Sequence, residues 1–113
     1  MAKKDDRLIP LTPPGAHLRE IMEDAGLTQY RLAKELGIQQ TRISQILTGR
    51  RAITADTAIR LGRFLGTTAE MWLNLQKNYD LELAEREKGD EITRSITPLA
   101  RDPGFTHSRQ RFR

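Results

Sequence analysis

Residues 38–51 read IQQTRISQILTGRR, and their polar side chains are of kinds that read nucleic acid. A glutamine amide donates and accepts at once, which suits the edge of an adenine in the major groove. Serine and threonine hydroxyls bond either kind of edge, and the threonine methyl can meet a thymine methyl. Arg50 and Arg51 follow Gly49 directly, where guanidinium groups can bond phosphates and orient the unit before them. On a helix of about 100° per residue, Ile43, Ile46 and Leu47 fall within roughly a 100° arc. Thr41, Ser44 and Gln45 lie opposite, with Gln40 and Arg42 flanking them. A face built only for solubility would carry lysine and glutamate. This one carries amides and hydroxyls. A solvated face stays open for the helix taken alone, and the following arginines, Gln29 and the helix-turn-helix spacing make DNA the predicted partner.

Five helices are expected to hold that face. Pro13-Pro14-Gly15 makes a stiff entry, and Pro14 fits the first turn of a helix. Leu18, Ile21, Met22 and Ala25 then recur at helical spacing until Gly26. Thr28 is the expected cap of a second helix, with Leu32, Ala33 and Leu36 inward and Gly37 as its stop. The next helix starts after only a short turn, which is the spacing of a helix-turn-helix. Gln29 opens the second helix, where an amide and backbone N–H groups can meet a phosphate. After the break at Thr48-Gly49, Thr54 caps a fourth helix, with Asp56 in its first turn. Ala58, Leu61 and Leu65 form its inner face, and Gly66 closes it. Thr67 or Thr68 caps a fifth helix. Its Met71, Trp72, Leu75, Tyr79 and Leu83 share about a 120° arc and are expected to seal the core. Leu73 and Leu81 fall outside that arc and predict a dimer or partner contact, together with the acidic run that follows. No segment alternates as a strand would, so the fold class is all-α.

At 113 residues the chain is one small domain with extensions. We divide it into a flexible arm over 1–12, the helix-turn-helix domain over 13–81, and a charged extension over 82–113. The extension is read as a fraying helix end followed by a largely flexible tail, in which Ile92, Ile96 and Leu99 could make one helical turn against a surface. The formal net charge of +4 is unevenly spread. Between Gly37 and Arg63, Arg42, Arg50, Arg51, Arg60 and Arg63 face only Asp56, a basic block that again points to nucleic acid. Between Glu82 and Glu91 acids dominate, and the tail turns basic at Arg101, Arg109, Arg111 and Arg113.

Other chemistry finds little support. Without cysteine there are no disulfides or thiolate metal sites, which fits a cytoplasmic setting. His17 and His107 lack metal-ligand spacing, Ser108 beside His107 makes no triad, and no glycine-rich phosphate loop occurs. Glu20, Glu23 and Asp24 make an acidic side of the first helix, read as a solvated face that could also accept a basic partner. The opening MAKKDDRLIPL has no apolar stretch long enough to be expected to act as a signal peptide, and no later segment is expected to span a bilayer. We expect no enzyme, cofactor, metal, membrane or small-molecule substrate.

The run TQYRLAKELGIQQTRISQILTG (28–49) resembles the XRE, or Cro and lambda-repressor-like, helix-turn-helix family. Residues 13–81 more narrowly resemble its HigA antitoxin branch, also known as VapI-like. PPGAHLREIMEDAGLTQYRLAKELGI matches the entry and first two helices, and RRAITADTAIRLGRFLGTTAEMWLNLQKNYDL the last two. The WLNLQ…YDL run is the most specific part. The resemblance implies a homodimeric DNA-binding antitoxin that represses its own operon and neutralises a RelE-like, HigB-like mRNA-cleaving toxin. It implies base reading by Gln40, Thr41, Ser44 and Gln45, bordered by Gln39 and Arg42, and phosphate contacts from Gln29, Arg50 and Arg51. Gln39 departs from the short cap expected before this helix, so cap and contact both stay open for it. Two reading helices about 34 Å apart on a two-fold axis would read a palindromic operator. A stand-alone repressor without a toxin is the alternative. A single-stranded RNA binder is disfavoured, because the basic block lacks aromatic residues for stacking.

Overall fold

A computed structural model describes residues 11–100. The expectations for residues 1–10 and for the basic tail, with His107 and Ser108, lie outside the described residues.

The described residues form five helices: α1 (Pro14–Ala25), α2 (Gln29–Leu36), α3 (Gln40–Leu47), α4 (Ala55–Leu65) and α5 (Ala69–Ser95). Their ends follow local chemistry. Pro14 opens α1, where its missing N–H costs no helical bond. Thr28, Thr54 and Thr68 each accept from a backbone N–H three residues on, at 3.0, 3.4 and 3.1 Å. Asp56 and Glu70 stand in first turns, as the helix dipole favours. The choice between Thr67 and Thr68 dissolves, because the two do different work. Thr68 caps α5, while the Thr67 hydroxyl accepts from the Trp72 indole N–H at 2.8 Å. Trp72 is thereby buried whole without an unpaired donor.

Leu18, Met22, Leu32, Ala33, Leu36, Ile43, Ile46, Leu47, Ile53, Ala58, Leu61 and Trp72 make the core. Ile53, in the loop after α3, joins it although no helical pattern marks that residue. Of the arc predicted on α5 only Trp72 is fully buried; Met71, Leu75, Tyr79 and Leu83 are half-buried. Leu65 is also half-buried and Ala25 is exposed. The backbone of α1 lies directly on that of α3 at Gly15. A Cβ there would stand 2.1 Å from the Ile46 carbonyl oxygen, so only glycine allows the approach.

One expectation needs correction. The charged stretch after Leu81 is not a fraying end: α5 continues regularly to Ser95. Most of that stretch is good helix former, and Arg86 bonds Glu82 one turn earlier at 3.2 Å. Ile96 is extended (φ −116°, ψ 118°), and the chain from there to 100 is not helical, so Ile92, Ile96 and Leu99 do not share a turn. All three are exposed. No helix among the described residues is long and apolar enough to cross a membrane, and no acid or histidine cluster there could hold a metal.

Candidate nucleic-acid interface

Helices α2 and α3 are joined by Gly37, Ile38 and Gln39, with Gly37 in the left-handed region at φ 71°. Its N–H returns to the Ala33 carbonyl at 2.9 Å and that of Ile38 to the same oxygen at 3.1 Å, closing α2 and turning the chain sharply. Ile43, Ile46 and Leu47 then anchor α3 against α1 and α2. That burial leaves Gln39, Gln40 and Thr41 exposed, with Ser44 and Gln45 half-buried beyond them. Gln39 is the N-cap residue in extended conformation, but its side chain makes no capping bond. Capping is therefore not its role, and its amide stays with the exposed set.

The end of α3 is wound back on itself. Gly49, at φ 82°, reverses the chain. The Arg50 and Arg51 backbone N–H groups then return to the Gln45 carbonyl at 2.8 and 3.2 Å. The Thr48 hydroxyl donates to the Ser44 and Gln45 carbonyls. Both arginines are exposed beside the last turn of α3. Arg51 Nε also donates to Gln45 Oε1 at 2.9 Å. Gln29, half-buried, opens α2 at the other end of the unit.

Two arginines of the basic block do other work. Arg42 Nη1 donates to the buried Thr57 hydroxyl at 3.2 Å, tying α3 to the start of α4. Arg60 Nη1 donates to the Leu36 carbonyl at 2.8 Å and Arg60 Nε to Asp56 Oδ1 at 2.6 Å, closing the C-terminal end of α2. Counting charges in sequence thus overstates the cation available on the α3 surface. Among the described residues, Arg50 and Arg51 are folded back onto the last turn of α3 and exposed there.

Periodicity missed Gln76. Its Oε1 accepts from the Ile53 N–H at 2.8 Å, and its Nε2 donates to Asp80 Oδ1 at 2.9 Å. This side chain clamps the loop behind Arg50 and Arg51 to α5. A signal existed: Gln76 falls between Trp72 and Tyr79 on the inner stripe of α5, where an amide must find a partner. On the outer side of α5, Leu73 is 36% and Leu81 59% exposed. Leu81 borders a shallow hollow of about 220 Å³ shared with Ala84, Gly89 and Ile92.

A short helix, a tight glycine turn and a second helix with a polar exposed face define a helix-turn-helix protein. The helix-turn-helix family model matches residues 18–72. Virulence-associated protein I of Dichelobacter nodosus is 43% identical over 95 residues, spanning 83% of this chain and 86% of that protein. A HigA-family addiction module antidote protein from Coxiella burnetii superposes with a TM-score of 0.75 at 42% identity, covering 80% of this chain and all of that one. Antitoxin HigA of Pseudomonas aeruginosa, solved with the higBA promoter, gives 0.77 at 36% identity, covering 80% and 100%. The chain belongs to the HigA/VapI branch of the XRE helix-turn-helix family. It is a helix-turn-helix regulator and not an enzyme.

Proposed function

We propose that this protein is an antitoxin that binds a palindromic operator as a homodimer, represses its own operon and neutralises a HigB-like, mRNA-cleaving toxin. The observation that carries the DNA half is the exposed amide and hydroxyl face of α3, flanked by two arginines turned back onto its last turn. Gln40, Thr41, Ser44 and Gln45 read base edges, with Gln39 beside them, while Arg42 braces α3 through Thr57. Gln29, Arg50 and Arg51 bond phosphates and set the register of α3 in the groove. The Pseudomonas relative solved with its promoter supports this use of the fold. One such unit reads only a few base pairs, so two copies on a two-fold axis are needed for a unique site. Leu73 and Leu81 supply contact surface for the second copy or the toxin.

The toxin half is tested by co-expression. If a short basic reading frame beside this gene arrests growth when induced alone, this protein should restore growth and silence a reporter driven by their shared upstream DNA. Silencing without any toxic neighbour would make it a stand-alone repressor. Neither silencing nor rescue would overturn the proposal.

A further inference from the structure

The Gln45 amide is not free to choose how it faces DNA. Arg51 Nε lies 2.9 Å from Gln45 Oε1, and the Arg51 backbone N–H is bonded to the Gln45 carbonyl at 3.2 Å. The arginine is thus held to this glutamine by main chain and side chain together. A guanidinium carries donors and no acceptor, so only the oxygen of the amide can face it. The Gln45 Nε2 hydrogens have no partner among the described residues. The Arg51 terminal nitrogens likewise make no bond there and stay available for phosphate.

This has a consequence for the base that is read. A glutamine reading adenine needs its oxygen to accept from N6 while its nitrogen donates to N7. Here one of the oxygen's two lone pairs is already engaged by a charged donor, the stronger class of hydrogen bond, so only the second is left for N6. What is left with no partner at all among the described residues is the Nε2 donor. In the major groove guanine offers two acceptors, N7 and O6, whereas adenine offers one acceptor beside a donor. Resting on the operator-binding reading above, we infer that Arg51 is a positioning residue that locks Gln45 as a donor, so that Gln45 selects guanine over adenine.

Selection of binding sites from a random duplex library by the full chain tests this. The base pair read by Gln45 is the one whose preference disappears in Gln45→Ala. At that position the unmodified protein should prefer guanine over adenine by about tenfold. Arg51→Ala should release the amide and cut that preference by about tenfold, or reverse it toward adenine. Arg50→Ala removes an equal charge without touching the amide, so it should weaken all sequences alike and leave the preference intact. Thermal melting confirms that each variant is folded, Arg50 and Arg51 being exposed and Gln45 half-buried. The inference is overturned if adenine is selected at that position, or if Arg51→Ala merely parallels Arg50→Ala. If the unmodified protein selects no sequence at all, the operator reading itself fails.

Discussion

Replacing Gly15 by alanine should destabilise the domain, although alanine is the better helix former. At 2.1 Å from Ile46 O, 2.8 Å from Leu47 Cα and 2.9 Å from Leu47 O, the added methyl would meet backbone on every side. Ordinary contacts of this kind need roughly 3.5 Å, so α1 would have to lift from α3 by about an ångström. No rotamer change relieves the clash, because none of the three atoms belongs to a side chain. Overpacking of this sort costs about 1–3 kcal/mol, occasionally more. The helix-propensity gain of alanine over glycine reaches about 1 kcal/mol in a helix interior and is smaller in a first turn. The net loss of about 0.5–2.5 kcal/mol should lower Tm by about 2–20 °C for a domain of this size. The same exchange at Gly89 has the opposite sign. There a Cβ would meet only Glu85 Cβ at 3.8 Å, and α5 should gain about 0.5–1 kcal/mol locally. Circular dichroism melts at one fixed protein concentration read the first effect, and amide exchange along 85–93 reads the second. A Gly15→Ala protein that melts within about a degree of the original would refute the close α1–α3 approach.

Gln76→Ala should cost about 1–3 kcal/mol, because the Ile53 N–H loses its partner in a part-buried place. The matching sign is faster exchange of the Ile53 amide, with weaker DNA binding as the loop behind Arg50 and Arg51 loosens. Unchanged exchange there would show that the clamp is not made in solution. Replacing Leu73 and Leu81 together by glutamate should leave Tm of the monomeric fold within about 1 kcal/mol equivalent, since both side chains are partly or largely exposed. Light scattering should show the proposed dimer lost, or pull-down the proposed toxin complex lost. Retention of both assemblies would remove α5 as their contact surface.

The helices were legible where a single residue decides an end. Thr28, Thr54 and Thr68 cap as hydroxyls do, and Gly26, Gly37 and Gly66 stop helices because left-handed backbone suits glycine. The exposed face of α3 was legible for a similar reason: once Ile43, Ile46 and Leu47 go inward, geometry fixes where the amides point. What stayed hidden were contacts between residues distant in the chain. Nothing local says that Arg42 reaches Thr57, that Arg60 closes α2, or that Gln76 holds Ile53. The length of α5 was misjudged because a run of charge suggests solvent and fraying. The same residues are strong helix formers, and on one exposed helix they pair along its own surface.

The central claim is that the amide face of α3 reads DNA. Footprinting of the DNA upstream of the protein's own gene, with the unmodified chain and with Gln45→Ala, tests it most directly. Two protected half-sites about 34 Å apart are expected for the unmodified protein. Gln45→Ala should lose about 1–3 kcal/mol of discrimination between that site and unrelated DNA, while its melting temperature holds. Absence of a protected palindrome, or identical footprints and affinities for the two proteins, would contradict the account.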